Sequence, residues 1–298
     1  MKQSKPALAV LAAGVAWGII SLFVRRLSAA GLQPMQIACI RLLVAVLVFF
    51  PGLALRDPKK LAIRPRDLWM FVGTGIVSLV FFYVLYFYTT VQSQASVAVV
   101  LLYSSPAFVM LLSALIFRER LTGRKLVSLG LTVAGCALVS GFFGGGYRLS
   151  GLVLLTGLGS GFFYALYTIF ARFALRRYDS MTVTAWTFLL GALGALPFGA
   201  PGAAARILAA EPALLLSCLG IGIVSTALPY LLYTWGLQRM DSGRAAILAA
   251  VEPLVGAVLG MVLYREPHDL PKLAGILLIL AAILLLNRPQ KAKPSGDA

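Results

Sequence analysis

The chain has 298 residues, 60% of them apolar and 12% charged, with a mean hydropathy of +0.92. Soluble domains carry about 25% charged residues, so this composition excludes a single water-facing globule. It equally excludes a disordered chain, which would lack apolar surface to bury. Three cysteines and one histidine leave little for a disulfide framework or a multi-ligand metal site, and no cofactor is expected. A formal charge of +16 would suggest nucleic acid in a soluble protein. In a membrane chain, basic residues gather in cytoplasmic loops instead, so the expected partners are the lipid bilayer and a small solute, not nucleic acid.

A hydrocarbon core of about 30 Å needs about 20 apolar residues in a helix. Ten such runs follow in order: 7–24, 35–55, 68–90, 95–117, 125–142, 151–173, 181–198, 213–237, 243–264 and 270–287. The first resembles a signal peptide, with Lys2 and Lys5 before it and Ser28-Ala29-Ala30 after it. It reads as a span because it has a counterpart later in the chain. Arg41 lies some six residues into the second run and reads either as snorkelling to the outer interface or as a contact for a substrate carboxylate. The longest connection, 56–67, carries five basic residues, and Trp69 beyond it reads as an interfacial belt residue.

With the N-terminus inside, 19 of the 26 Lys and Arg fall on cytoplasmic segments and 6 on outer ones, Arg41 being the remaining one. Such a bias puts both termini in the cytoplasm of a multi-pass inner (plasma) membrane protein.

The chain also repeats itself. At an offset of 147, residues 83–138 superpose on 230–285: Tyr83 meets Tyr230, Tyr86 meets Tyr233, Pro106 meets Pro253, Arg118-Glu119 meets Arg265-Glu266, and Lys125 meets Lys272. At an offset of 143, the glycine pair Gly14/Gly18 falls on Gly157/Gly161. Repetition at a fixed period signals duplicated architecture. A five-span unit places its second copy upside down, the inverted-repeat plan of secondary transporters. The fold expected is therefore all-α integral membrane, with ten transmembrane helices as two inverted five-helix repeats. The halves are 1–146 and 147–288, with 289–298 a cytoplasmic tail.

Trp17-Gly18, Arg41, Pro106 with Glu119, and Glu252-Pro253 with Glu266 and Gly275 complete a pattern. With it, the chain resembles the EamA type of the drug/metabolite transporter superfamily. The resemblance implies a secondary carrier, commonly an exporter of amino acids or other small metabolites, with a cavity lined by spans 1, 3, 4, 6, 8 and 9. The chain departs from internal symmetry at Ser105, which stands opposite Glu252, and at Thr187, which stands opposite Arg41 at an offset of 146.

Glu252 is the one acidic residue deep inside a span. A carboxylate at that depth is costly, so it must be protonated, paired or in a wet cavity. It reads either as a proton-coupling or substrate-ammonium site or as a structural carboxyl bound to Arg41. Pro106 and Pro253, mid-span in both halves, each remove a backbone donor and point to the cavity or to hinges beside it. Tyr83/Tyr86, Tyr164/Tyr167 and Tyr230/Tyr233 each share a helix face, and Tyr103 precedes Ser104-Ser105. Rings that carry a hydroxyl suit an amphipathic solute. The candidate substrate-binding residues are thus Trp17, Tyr83, Tyr86, Tyr103, Ser105, Tyr164, Tyr230, Tyr233 and Glu252, with Pro106 and Pro253 as hinges. The glycine pairs, including Gly256/Gly260, read as helix packing. Cys39, Cys136 and Cys218 read as fillers, and His268 stands alone in an outer loop. Gly144-Gly145-Gly146 lacks the Lys-Ser/Thr of a P-loop.

These residues predict alternating access, driven by a substrate or proton gradient. The rival class is an integral-membrane enzyme acting on lipid or isoprenoid substrates. Such an enzyme needs paired acids or histidines near one interface, and the sequence puts Glu119 and Glu266 on opposite sides.

Overall fold

The apolar runs become helices because a backbone in lipid must satisfy its own polar groups. The computed structural model describes residues 4–144, 150–265 and 269–287, and these are helical throughout, with turns between helices. The helices are α1 (Lys5–Ala29), α2 (Pro34–Arg56), α3 (Pro65–Gln92), α4 (Ala95–Phe117), α5 (Gly123–Val139), α6 (Gly151–Ala174), α7 (Ser180–Phe198), α8 (Leu214–Leu237), α9 (Ser242–Tyr264) and α10 (Leu270–Asn287). Among the described residues, nine of these are long and apolar enough to cross a membrane. The remaining one, α5, has 17 residues, about 25 Å at 1.5 Å per residue. Lys2, Arg148, Gly145, Gly146, Glu266, His268 and the tail 289–298 lie outside the described residues.

Helix α1 extends beyond the apolar run. It reaches Ala29, so Arg25 and Arg26 sit on its last turns rather than in a loop. Its Val10, Ala13 and Trp17 are buried, and it packs on α8 and α9 as an integral part of the bundle. The connection between α7 and α8 carries a short helix, Pro201–Ala210. It closes a small second core with Leu27, Ile37 and Ile221.

The two halves interlock. Helix α1 lies against α8 and α9, α6 against α3 and α4, α2 against α7, and α5 against α10. The glycine pairs permit the closest of these approaches. A Cβ on Gly18 would lie 2.8 Å from the Glu252 carbonyl oxygen, and one on Gly161 would lie 3.0 Å from that of Leu101. Where α5 meets α10, Gly135 and Gly275 face each other with the same tightness.

Irregular backbone recurs at the 147-residue offset. Helix α4 consists of Ala95–Leu102 and Ser105–Phe117, and α9 of Ser242–Ala249 and Glu252–Tyr264, each break coming just before the proline segment. Pro106 and Pro253 therefore occupy the first turn of the following segment, where a missing N–H costs least. Both helices end on an arginine in the left-handed region, Arg118 (φ 57°) and Arg265 (φ 52°). A π-helical stretch widens α3 at Gly73–Val80 and α8 at Ile223–Ala227. π-Turns of this kind accompany functional sites.

Candidate functional site

A cavity of about 480 Å³ runs from the α1–α2 and α3–α4 turns, at Val24, Pro34 and Ala95, to the middle of the bundle at Trp17 and Glu252. Its wall is aromatic because five helices, α1, α3, α4, α6 and α8, place rings toward one point. Tyr83, Tyr86 and Tyr103 come from one half, Tyr164 and Tyr230 from the other, and Trp17 from α1. Trp17 meets Tyr230 edge-on with ring centroids 5.1 Å apart. Phe82 meets Tyr164 at 5.0 Å, and Phe188 backs Tyr230 at 5.2 Å. This is the T-shaped and tilted geometry that aromatic quadrupoles favour.

Seven of the nine residues singled out from the sequence line this cavity: Trp17, Tyr83, Tyr86, Tyr103, Tyr164, Tyr230 and Glu252. The other two, Ser105 and Tyr233, line a pocket of about 30 Å³ below it, separated by the rings of Trp17, Tyr164 and Tyr230. Here hydroxyls are paired across α6 and α8: Tyr167 with Thr234 at 2.7 Å, and Thr168 with Tyr233 at 2.8 Å. Pro106 and Pro253 follow the helix breaks just described and line neither space.

Among the described residues Glu252 is the one carboxyl group lining the cavity, with the Tyr103 side chain as its hydrogen-bonding neighbour. Arg41 does not snorkel. It is 9% exposed, and its Nε donates to Thr226 Oγ1 at 2.7 Å while Nη2 donates to the Ser225 carbonyl at 3.1 Å. Helix α2 therefore joins the wall, through Pro34, Ile37, Ala38 and Arg41, in addition to the six helices expected. Two further rings, Phe82 and Phe87, also line it. No local signal marks them, because a phenylalanine facing lipid looks the same as one facing a cavity.

The opposite end of the bundle is tied together. Glu119, at the end of α4, accepts from the Ser242 N–H at 2.9 Å, the Ser242 hydroxyl at 2.8 Å and the Gly243 N–H at 3.4 Å. It thereby caps the positive end of α9 with a carboxylate. Arg172 lies 3.8 Å from Glu119 and donates to the carbonyls of Leu237 and Met240 at the end of α8. Lys125 pairs with Asp241 at 3.1 Å. Nearby, buried Asp67 binds Arg177 and accepts from the Tyr178 hydroxyl at 2.7 Å. Asp179 caps α7 through the Thr182 N–H, and Lys60 stands 3.3 Å from it. Burial alone would raise the Asp179 pKa, but the bonds from Thr182 and Lys60 outweigh it and hold the carboxyl below its usual range.

Comparison with known proteins matches this architecture throughout its length. The model of the EamA-like transporter family fits the chain twice, over residues 4–141 and 151–288. An uncharacterized transporter of Archaeoglobus fulgidus is 29% identical over 95% of this chain and 97% of its own. The uncharacterized inner membrane transporter YicL of Salmonella typhimurium is 27% identical over 95% of each chain. A solved crystal structure superposes with a TM-score of 0.77 at 17% identity, covering 95% of this chain and 96% of its own, and so shares the fold. The names of the family and of these relatives indicate transport rather than catalysis. With a family match in each half and end-to-end relatives, this multi-pass membrane protein belongs to the EamA-like transporter family.

Proposed function

We propose that the protein is a secondary-active exporter of small metabolites such as amino acids. It sits in the inner (plasma) membrane as ten transmembrane helices with both termini cytoplasmic. Two inverted five-helix repeats, 1–146 and 147–288, alternately expose the central cavity to each face, and 289–298 is a cytoplasmic tail. One observation carries this reading: an aromatic cavity reaches one end of the bundle while the other end is tied by Glu119, Arg172 and Lys125. That is one of the two states an alternating-access carrier must have, and the two must differ by only a few kcal/mol. The helix breaks, left-handed arginines and π-turns at one common offset support the repeat, as does the double family match.

The substrate-binding residues are those singled out above, from Trp17 to Glu252. Pro106 and Pro253 are the hinges, and Glu252 is the site of proton coupling or of a substrate ammonium group. Counterflow in proteoliposomes tests the function: preloaded unlabelled metabolite should drive saturable uptake of its labelled form. Flux that never saturates would make the protein a pore. Absence of flux for every solute would remove the transport reading.

A further inference from the structure

Arg41 is a buried cation whose hydrogen-bond partners among the described residues are neutral groups. Thr226 donates its hydroxyl to the Ile221 carbonyl at 2.8 Å, five residues back in the π-turn, and accepts from Arg41 Nε. The Ser225 carbonyl accepts from Nη2. A guanidinium has five N–H donors and stays protonated in proteins. These two contacts fix its plane and leave both donors and charge to spare. Among the described residues no carboxylate lies within ion-pair distance of Arg41, although Glu252 lines the same cavity. The Tyr83 ring flanks the guanidinium at 5.9 Å. Ser21 Oγ, also on the wall, has no hydrogen-bond partner.

The other half shows what this position does when it carries no charge. Thr187 pairs with Thr74 at 2.6 Å, beside the π-turn of α3, in a buried contact that lines neither pocket. The charge thus belongs to one wall of the cavity, and among the described residues no carboxylate forms an ion pair with it. A planar guanidinium with free parallel N–H groups matches a carboxylate. A dianionic phosphate fits less well, because it would share the cavity with the Glu252 carboxyl.

We infer that Arg41 is the anion-recognising residue of the cavity: the π-turn of α8 orients its guanidinium to take the carboxylate of the transported solute, whose body lies against the rings of Trp17 and Tyr83. Thr226 and Ser225 are positioning residues, acting through Arg41. This assignment rests on the transport reading for its context, but binding tests it separately.

The experiment is a thermal-shift titration of the purified full-length protein with matched probes. These are the 20 common amino acids, their carboxyl methyl esters, 3-phenylpropionate and phenethylamine. On the wild-type protein the binding acid should half-saturate at a concentration lower than its ester by on the order of 10- to 100-fold, the value of a hydrogen bond to a charged group. Arg41→Gln should lose the acid preference and Arg41→Lys keep part of it. Thr226→Val, isosteric and remote from the solute, should weaken acid binding several-fold without changing ester binding. Thr74→Val, the control in the other half, should change neither. An ester or amine that binds as well as the acid overturns the assignment, as does a panel in which no carboxylate binds. The acid–ester comparison needs no variant, so a misfolded mutant cannot mask the answer. A ligand that binds as expected yet shows no counterflow removes the transport reading and leaves the Arg41 assignment standing.

Discussion

Replacing Glu119 by Gln should loosen the closed end of the bundle. The side chain is 8% exposed and receives three hydrogen bonds from Ser242 and Gly243 at the start of α9, with Arg172 at 3.8 Å. Glutamine keeps one oxygen to accept from Ser242 but turns an amide toward the remaining donors. A carboxylate at a partly buried helix N-terminus contributes up to about 2 kcal/mol, equivalent to roughly a 30-fold change in an equilibrium. If this end opens during transport, the variant should raise the population in which the small pocket is accessible from that side. Ala246 lines that pocket. In a background with Cys39, Cys136 and Cys218 replaced, Ala246→Cys reports access through its reaction with a membrane-impermeant maleimide in inverted vesicles. The labelling rate should rise by on the order of tenfold or more when Glu119→Gln is added. An unchanged rate in a protein that still elutes as a single species would refute the argument that this carboxylate holds the end shut.

The remaining predictions concern stability. Gly18→Ala places a methyl 2.5 Å from Val255 Cβ and 2.8 Å from a carbonyl oxygen. It should cost about 1–3 kcal/mol by overpacking, read as a lower Tm in detergent. Gly130→Ala, within α5 and with open space around it, should stabilise by up to about 1 kcal/mol through helix propensity. Asp67→Ala removes the anchor for Arg177 and Tyr178. It should cost about 1–3 kcal/mol and open the Arg56–Asp67 connection to trypsin. The Asp179 pKa is held below normal in the folded protein, so its contribution is present at neutral pH and is lost as pH falls through the folded value. Asp179→Asn, which can still cap α7 but has no charge to pair with Lys60, should lower the neutral Tm slightly and flatten its decline on the acid side.

The helices and the aromatic wall were readable from the sequence because their signals are local. Runs of apolar residues mark spans, and Tyr-x-x-Tyr at positions 83/86 and 230/233 marks a face. The sequence leaves Arg41 open between snorkelling and a solute contact because what holds it, Ser225 and Thr226, lies more than 180 residues away on a π-turn that has no local signature. Glu119 looked like a charge at a span end for the same reason, since its partners Ser242 and Gly243 belong to the other half. Helix α1 was drawn too short because the apolar criterion stops at Arg25, whereas the helical backbone continues until Gly31 turns it with φ +94°. The 147-residue register, by contrast, is read from prolines, tyrosines and an Arg-Glu pair. The paired helix breaks lie where that register puts them.

Reciprocal motion of the two ends is the most direct test. Spin labels at Ala30 and Ser93 flank the cavity mouth, and labels at Arg120 and Met240 flank the end tied by Glu119. Electron–electron distance measurements on the reconstituted protein should give two populations for each pair, the mouth narrowing as the tied end widens, with a saturating solute shifting both in opposite senses. A single distance at each end, unmoved by a solute that the protein demonstrably transports, would contradict alternating access through this cavity.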